Sequence, residues 1–88
     1  MKPIRWTTHA RTKVVSREVS MAEIEQTIAR TDAVVHGHPP RRILMRRYFD
    51  DVLQSEMLLR VVVEETDAEI AVVTFYKTSN FKKYEGGT

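Results

Sequence analysis

Residues 8–28 read THARTKVVSREVSMAEIEQTI, and their reading decides the fold. Two short helices meet at the joint Ser20-Met21-Ala22-Glu23. A Ser followed three residues later by a Glu is the sequence form of a capping box: the Ser side chain accepts from the Glu backbone N–H, and the Glu carboxylate accepts from the Ser N–H. Val19 before the cap and Ile24 after it are placed for the accompanying hydrophobic staple. Met21, Ile24 and Ile28 then recur at helical period, with Glu23, Glu25 and Gln26 on the outer side. Arg30 follows near the C-terminal end, where a cation suits the helix dipole, and Thr31-Asp32 closes the element. The helix before the joint is capped by Thr8 or Thr7 and turns Ala10 and Val14 inward, with Val15 beside them.

Upstream, Ile4 and Trp6 alternate with Arg5 and Thr7, which predicts a short strand over residues 3–7 with Pro3 at its start or on a sheet edge. Downstream, Ala33-Val34-Val35 reads as a short apolar connection, and His36-Gly37-His38-Pro39-Pro40 breaks regular structure. Residues 41–49 read as a strand and residues 50–55 as a polar turn. Residues 57–65, MLLRVVVEE, form a near-continuous apolar run interrupted only by Arg60, the pattern of a central strand covered on both faces. Thr66-Asp67-Ala68 is short enough to make an antiparallel hairpin with the β-branched and aromatic run 69–77. The expected fold is α+β, in the order β-α-α-β-β-β, with two helices on one face of a small, mainly antiparallel sheet. Residues 1–84 are expected as one domain and 85–88 as a flexible tail.

Eighty-eight residues support one thin core, and the absence of cysteine excludes thiol chemistry and disulfides. No stretch approaches the roughly 20 apolar residues of a membrane helix, and the first residues hold no apolar run of signal-peptide kind. A cytoplasmic protein without membrane association is therefore expected. Charge is uneven: residues 1–49 carry ten Lys/Arg and four Asp/Glu, residues 50–70 one and seven, and residues 71–88 three and one. Such a distribution fits either a dipolar surface whose basic side attracts phosphates or ordinary solvated charge.

His9, Lys13 and Arg17 recur at i, i+4 and i+8 and share one side of the first helix. In metal-free RNA cleavage a base takes the 2′-hydroxyl proton, an acid protonates the leaving oxygen, and cations stabilise the charged phosphorane. His9 fits the base and Lys13 or Arg17 the clamp; the competing reading buries the His9 ring against Trp6 with a bond to a backbone carbonyl. Tyr76, Lys77, Thr78, Ser79, Lys82, Lys83 and Tyr84 form a basic, aromatic, hydroxyl-rich end of the kind that binds phosphate and stacks bases. There Tyr76 or Lys77 fits an acid or phosphate ligand. The competing reading is a strand end with solvated lysines and Phe81 and Tyr84 folded onto the core. Arg41, Arg42, Arg46 and Arg47 flank a strand centre. They read either as edge-strand charges that block aggregation or, for Arg46, as a phosphate contact. His36 and His38 have no clear third ligand, and no metal or cofactor is expected.

Taken together, His9-Ala10, Arg17-x-Val19-Ser20, Glu23-Ile24-Glu25, Val61-Val62-Val63 and the closing run Thr74-Phe75-Tyr76-Lys77-Thr78-Ser79-Asn80-Phe81-Lys82-Lys83-Tyr84 resemble the bacterial and phage family grouped as domain of unknown function 4258. The chain departs from that pattern at Lys13 (usually Arg), Glu18 (usually Gly, so a strained or altered joint is expected) and Asn80 (often Lys). The element order also looks like that of the RelE/ParE toxin superfamily. That analogy implies a metal-independent, RNA-cleaving, toxin-type protein using His9, Lys13, Tyr76 and Lys77, with Arg17, Arg46, Ser79, Lys82, Lys83 and Tyr84 on the nucleic acid. RNA and a cognate antitoxin protein are the partners it implies, for a monomer or weak homodimer. The alternative is a non-catalytic module that binds nucleic acid or protein.

Overall fold

The sheet is built around the apolar run predicted for its centre. A computed structural model describes residues 2–17 and 19–81. Its elements are β1 (Ile4–Trp6), α1 (Thr8–Ser16), α2 (Met21–Ala29), β2 (Ala33–His36), β3 (Arg41–Asp50), β4 (Ser55–Glu65) and β5 (Ile70–Thr78). The five strands lie in the order β1-β5-β4-β3-β2, which puts β4 in the middle. All neighbours are antiparallel except β1 and β5, which run parallel.

Both helices pack on one face. Ala10, Val19 and Ile24 meet Leu44, Leu59, Val61, Val63, Val72 and Phe75 there in a single buried cluster. Thr7 caps α1: its hydroxyl oxygen accepts from the Ala10 N–H (3.2 Å) and the same hydroxyl donates to the Val72 carbonyl (2.8 Å). The capping box of α2 is complete, with Ser20 N–H donating to Glu23 Oε1 at 2.9 Å and Glu23 N–H to Ser20 Oγ at 3.1 Å. Val19 and Ile24, the expected staple, are both buried.

Three details differ from the sequence reading. Residues 33–35, read as a connection, and His36, read as the start of a break, form strand β2 on the sheet edge; a strand so short shows no alternation to reveal it. Because β2 lies outside it, β3 is not an edge strand, and its arginines divide between the faces as strand alternation requires. The register pairs Arg42 with Val63 and Arg46 with Leu59 on the helix side, while Arg41 and Arg47 pair with Glu64 and Leu58 on the other. On the helices, Val15 is 84% exposed and Met21 39%, so the inner stripes narrow to Ala10 and Val14, and to Ile24 and Ile28.

The ladder between β4 and β5 slips once. Val62 pairs with Thr74 but Val63 with Val72, so Val73 is an extra residue, a β-bulge. Val72 and Phe75 consequently both face the helices, while Thr74 and Tyr76 face away with Val62 and Arg60.

Replacing the N-cap should test the joint directly. Ser20→Ala is expected to destabilise the fold by about 1 kcal/mol in urea titration, the usual loss for an N-cap oxygen, with an unchanged m-value.

Candidate functional site

Lys77 and Tyr76 are adjacent in sequence and lie on opposite faces of the sheet. Lys77 faces the helices, its side chain 10% exposed, and its Nζ donates to Asp50 Oδ2 at 2.6 Å with Glu23 Oε2 3.9 Å away. Asp50 ends β3 and also accepts from the Val52 and Leu53 N–H groups, fixing the β3–β4 turn. The Tyr48 hydroxyl donates to Glu23. One cluster thus ties the α2 N-cap, the β3–β4 hairpin and β5.

A cavity of about 280 Å³, lined also by Gln26, Arg46, Phe49 and Val52, opens beside it. The electrostatics argue against proton chemistry there. The Lys77 ammonium and the turn N–H groups outweigh burial and hold the Asp50 carboxyl below its ordinary 3.8. Burial pushes the Glu23 carboxyl up, but hydrogen bonds from the Ser20 N–H and the Tyr48 hydroxyl, with the Lys77 charge, together bring it below 4.5. Burial first, and then Glu23, push the Tyr48 phenol well above its ordinary value. Every shift moves its group away from exchange near neutrality, which is what a structural ion cluster does and a general acid–base pair does not.

The second arrangement lies at the other edge of β5. β1 pairs only with Ile70 to Val72, so from Val73 onward the outer edge of β5 has no strand neighbour among the described residues. Helix α1 lines that edge. Thr7 donates to the Val72 carbonyl and reaches that of Val73 at 3.3 Å, and Arg17 donates to the Phe75 carbonyl at 2.7 Å. His9 Nε2 lies 3.2 Å from Thr74 Oγ1, within hydrogen-bond reach. Lys13 occupies the turn between His9 and Arg17 on the same side of α1. The His9 ring is therefore exposed and satisfied by a hydroxyl, where burial against Trp6 with a carbonyl partner was the competing expectation.

Thr74 points to the face opposite α1 and α2, where Tyr76 follows it. The register sets Tyr76 opposite Arg60 and Arg60 opposite Met45. Arg60, only 9% exposed, donates to the Tyr76 hydroxyl and directs Nε at Met45 Sδ (3.3 Å). Farther along, the Arg47 guanidinium sits 3.9 Å from the centre of the Phe81 ring. A row of His9, Thr74, Tyr76 and Arg60 thus runs from the β5 edge onto the face opposite α1 and α2. It can hold a proton acceptor, a phenol and a guanidinium beside one another. Thr74 and Arg60 were not singled out for function in the sequence; a lone Arg inside an apolar central strand was the available signal for the second.

Of the other expected site residues, Arg46 lies on the helix face, donating to Gln26 Oε1 at 3.2 Å over the Tyr48 ring, with its Nε buried and unpaired among the described residues. Ser79 is exposed just past β5. Lys82, Lys83 and Tyr84, and the joint residue Glu18, lie outside the described residues. His36 ends β2 and His38 follows in the loop; among the described residues no group of three His, Cys, Asp or Glu is arranged to hold a metal. No helix among them is long and apolar enough to cross a membrane. Comparison of the chain with family models, curated proteins and solved structures found no match.

Removing one partner of the buried pair takes from the other its nearest counter-charge. Asp50→Asn and Lys77→Met should each destabilise by about 3–5 kcal/mol, and the double replacement Asp50→Leu/Lys77→Met by clearly less than the sum. The pH dependence has a definite sign. The carboxyls titrate lower in the folded state than their ordinary 3.8 and 4.5, so their contribution is full above those values and is lost as pH falls through the folded ones. The penalty of Asp50→Asn, measured by urea denaturation from pH 7 to pH 3, should therefore shrink toward the acid end.

Proposed function

We propose that this is a RelE-like, RNA-acting protein: a metal-independent ribonuclease of toxin type whose working groups are His9 and Tyr76, with Arg60 and Lys13 as the cations. The observation that carries the reading is the contact between His9 and Thr74, which brings the histidine to the same row of the sheet as Tyr76 and Arg60. In this reading His9 takes the 2′-hydroxyl proton and Tyr76 protonates the leaving oxygen. The Arg60 guanidinium and the Lys13 ammonium stabilise the charge that develops on the phosphate. Arg17 and Arg47 extend the basic surface along the RNA. Lys77, committed to Asp50, has a structural role. A cognate antitoxin protein is the partner such a toxin requires.

A second reading is a non-catalytic module that binds nucleic acid or protein through the same face. The observation that favours it is the commitment of Arg60 to internal partners at low exposure.

Induced expression separates the two. The ribonuclease reading expects growth arrest and fragmented cellular RNA, with cleavage by the purified protein undiminished by a chelator. His9→Ala and Tyr76→Phe should each slow cleavage by about a hundredfold or more, His9→Ala with Tm unchanged and Tyr76→Phe with the lower Tm that follows from taking the hydroxyl acceptor from Arg60. Normal growth and intact RNA in the presence of folded wild-type protein would overturn the enzymatic reading and leave the binding module.

A further inference from the structure

The two ends of the sheet are treated differently. The outer edge of β5 is lined by α1, but among the described residues β2 is the last strand on its side and has no neighbour beyond it. Its four residues, Ala33-Val34-Val35-His36, are all exposed, Val34 and Val35 by 39% and 40%. Shortness is its protection as an edge; it contains no lysine or proline.

The register fixes which backbone groups face outward. Gly37 donates to the Arg41 carbonyl (3.1 Å), and β2 continues that ladder with Val35 opposite Ile43 and Ala33 opposite Met45. In an antiparallel ladder bonded pairs alternate, so Ala33, Val35 and Gly37 direct their N–H and C=O groups toward β3, and Val34 and His36 direct theirs outward. The outward set is self-complementary: two bonding residues separated by one non-bonding residue.

We propose that β2 pairs with β2 of a second copy of this chain, antiparallel and about a two-fold axis at Val35, which joins the two sheets into one. Val34 then exchanges both N–H···O bonds with the partner's His36, and His36 with the partner's Val34. Val35 meets its own copy at the axis as a non-bonded pair, where side chains approach most closely. Gly37 falls opposite the partner's Ala33, so two small residues meet there. The two-fold symmetry of the outward set, with small residues at its ends, selects a second copy over an unrelated strand. The contact is isologous and closes on itself, giving a dimer and not a filament. A four-residue edge makes a small interface, so the dimer is weak and reversible.

Sedimentation velocity over a wide concentration range, with hydrogen exchange at each concentration, tests this. The wild-type protein should pass from monomer to dimer as the Val34 and His36 amides become protected. Val34→Pro removes an outward N–H while leaving every bond to β3 intact, and Val35→Lys sets two ammonium groups together at the axis. Each should weaken the dimer about tenfold or more, the first through two symmetry-related hydrogen bonds, with Tm unchanged. Should either variant fail to fold, the wild-type exchange pattern decides alone. A monomer whose edge amides exchange equally at all concentrations would leave the edge for a strand of another protein. That result overturns the proposal, as does a dimer unmoved by both substitutions.

Discussion

The extra residue at Val73 sets the parity of everything that follows it in β5. A regular strand would carry Val72, Thr74 and Tyr76 on one face, because side chains alternate with a period of two. The bulge breaks that period once. Ile70 and Val72 point at the helices before it, and Phe75 and Lys77 do so after it. Thr74 and Tyr76 are thereby turned to the opposite face. The core depends on this slip, since Phe75 is fully buried among residues of both helices and of β4. So does the candidate site, since the partners of Tyr76 and His9 are met only on the far side. The slip falls where β1 ends and Thr7 begins, and the Thr7 hydroxyl reaches the carbonyls on both sides of the bulge step, Val72 and Val73.

Much of this architecture was legible because its signals are local. Ser20 and Glu23 specify a helix start within four residues, and MLLRVVVEE specifies a central strand by its own apolarity. The short turns around Thr66 and after Asp50 leave only antiparallel pairing for the strands they join. The edge strand β2 was not legible, because three small or branched apolar residues before a Gly-Pro-rich loop look the same in a connection as in a strand. The interior position of β3 was missed for the same reason, whereas the division of its arginines between the two faces follows from strand alternation alone.

The candidate site was harder to read because its members are defined by partners far along the chain. Lys77 looked like its neighbours in a basic tail. Asp50, twenty-seven positions earlier, makes it a buried structural cation. That pair and Glu23 hold three elements together, so an acidic residue introduced for a helix cap also anchors a strand through a lysine. Arg60 looked like an interruption of an apolar run. Its position opposite both Met45 and Tyr76 gives it partners on the face opposite α1 and α2 that periodicity cannot express. His9 stood in the right helix, but only the β5 edge decides whether it reaches Thr74 or Trp6.

The two sheet edges complete the argument. An unpaired edge offers N–H and C=O groups that must find water, side chains or another strand. At β5 the requirement is met internally: Thr7 and Arg17 bind carbonyls of that edge, and His9 binds a side chain beside them. The helix that closes the edge thus also delivers the histidine to the sheet. A change that loosened α1 would open the edge and displace His9 together. At β2 no helix or side chain among the described residues performs that service, and its outward groups repeat with a symmetry that a second copy can satisfy. The candidate site and the proposed assembly thus sit at opposite edges, with β4 and β3 between β5 and β2.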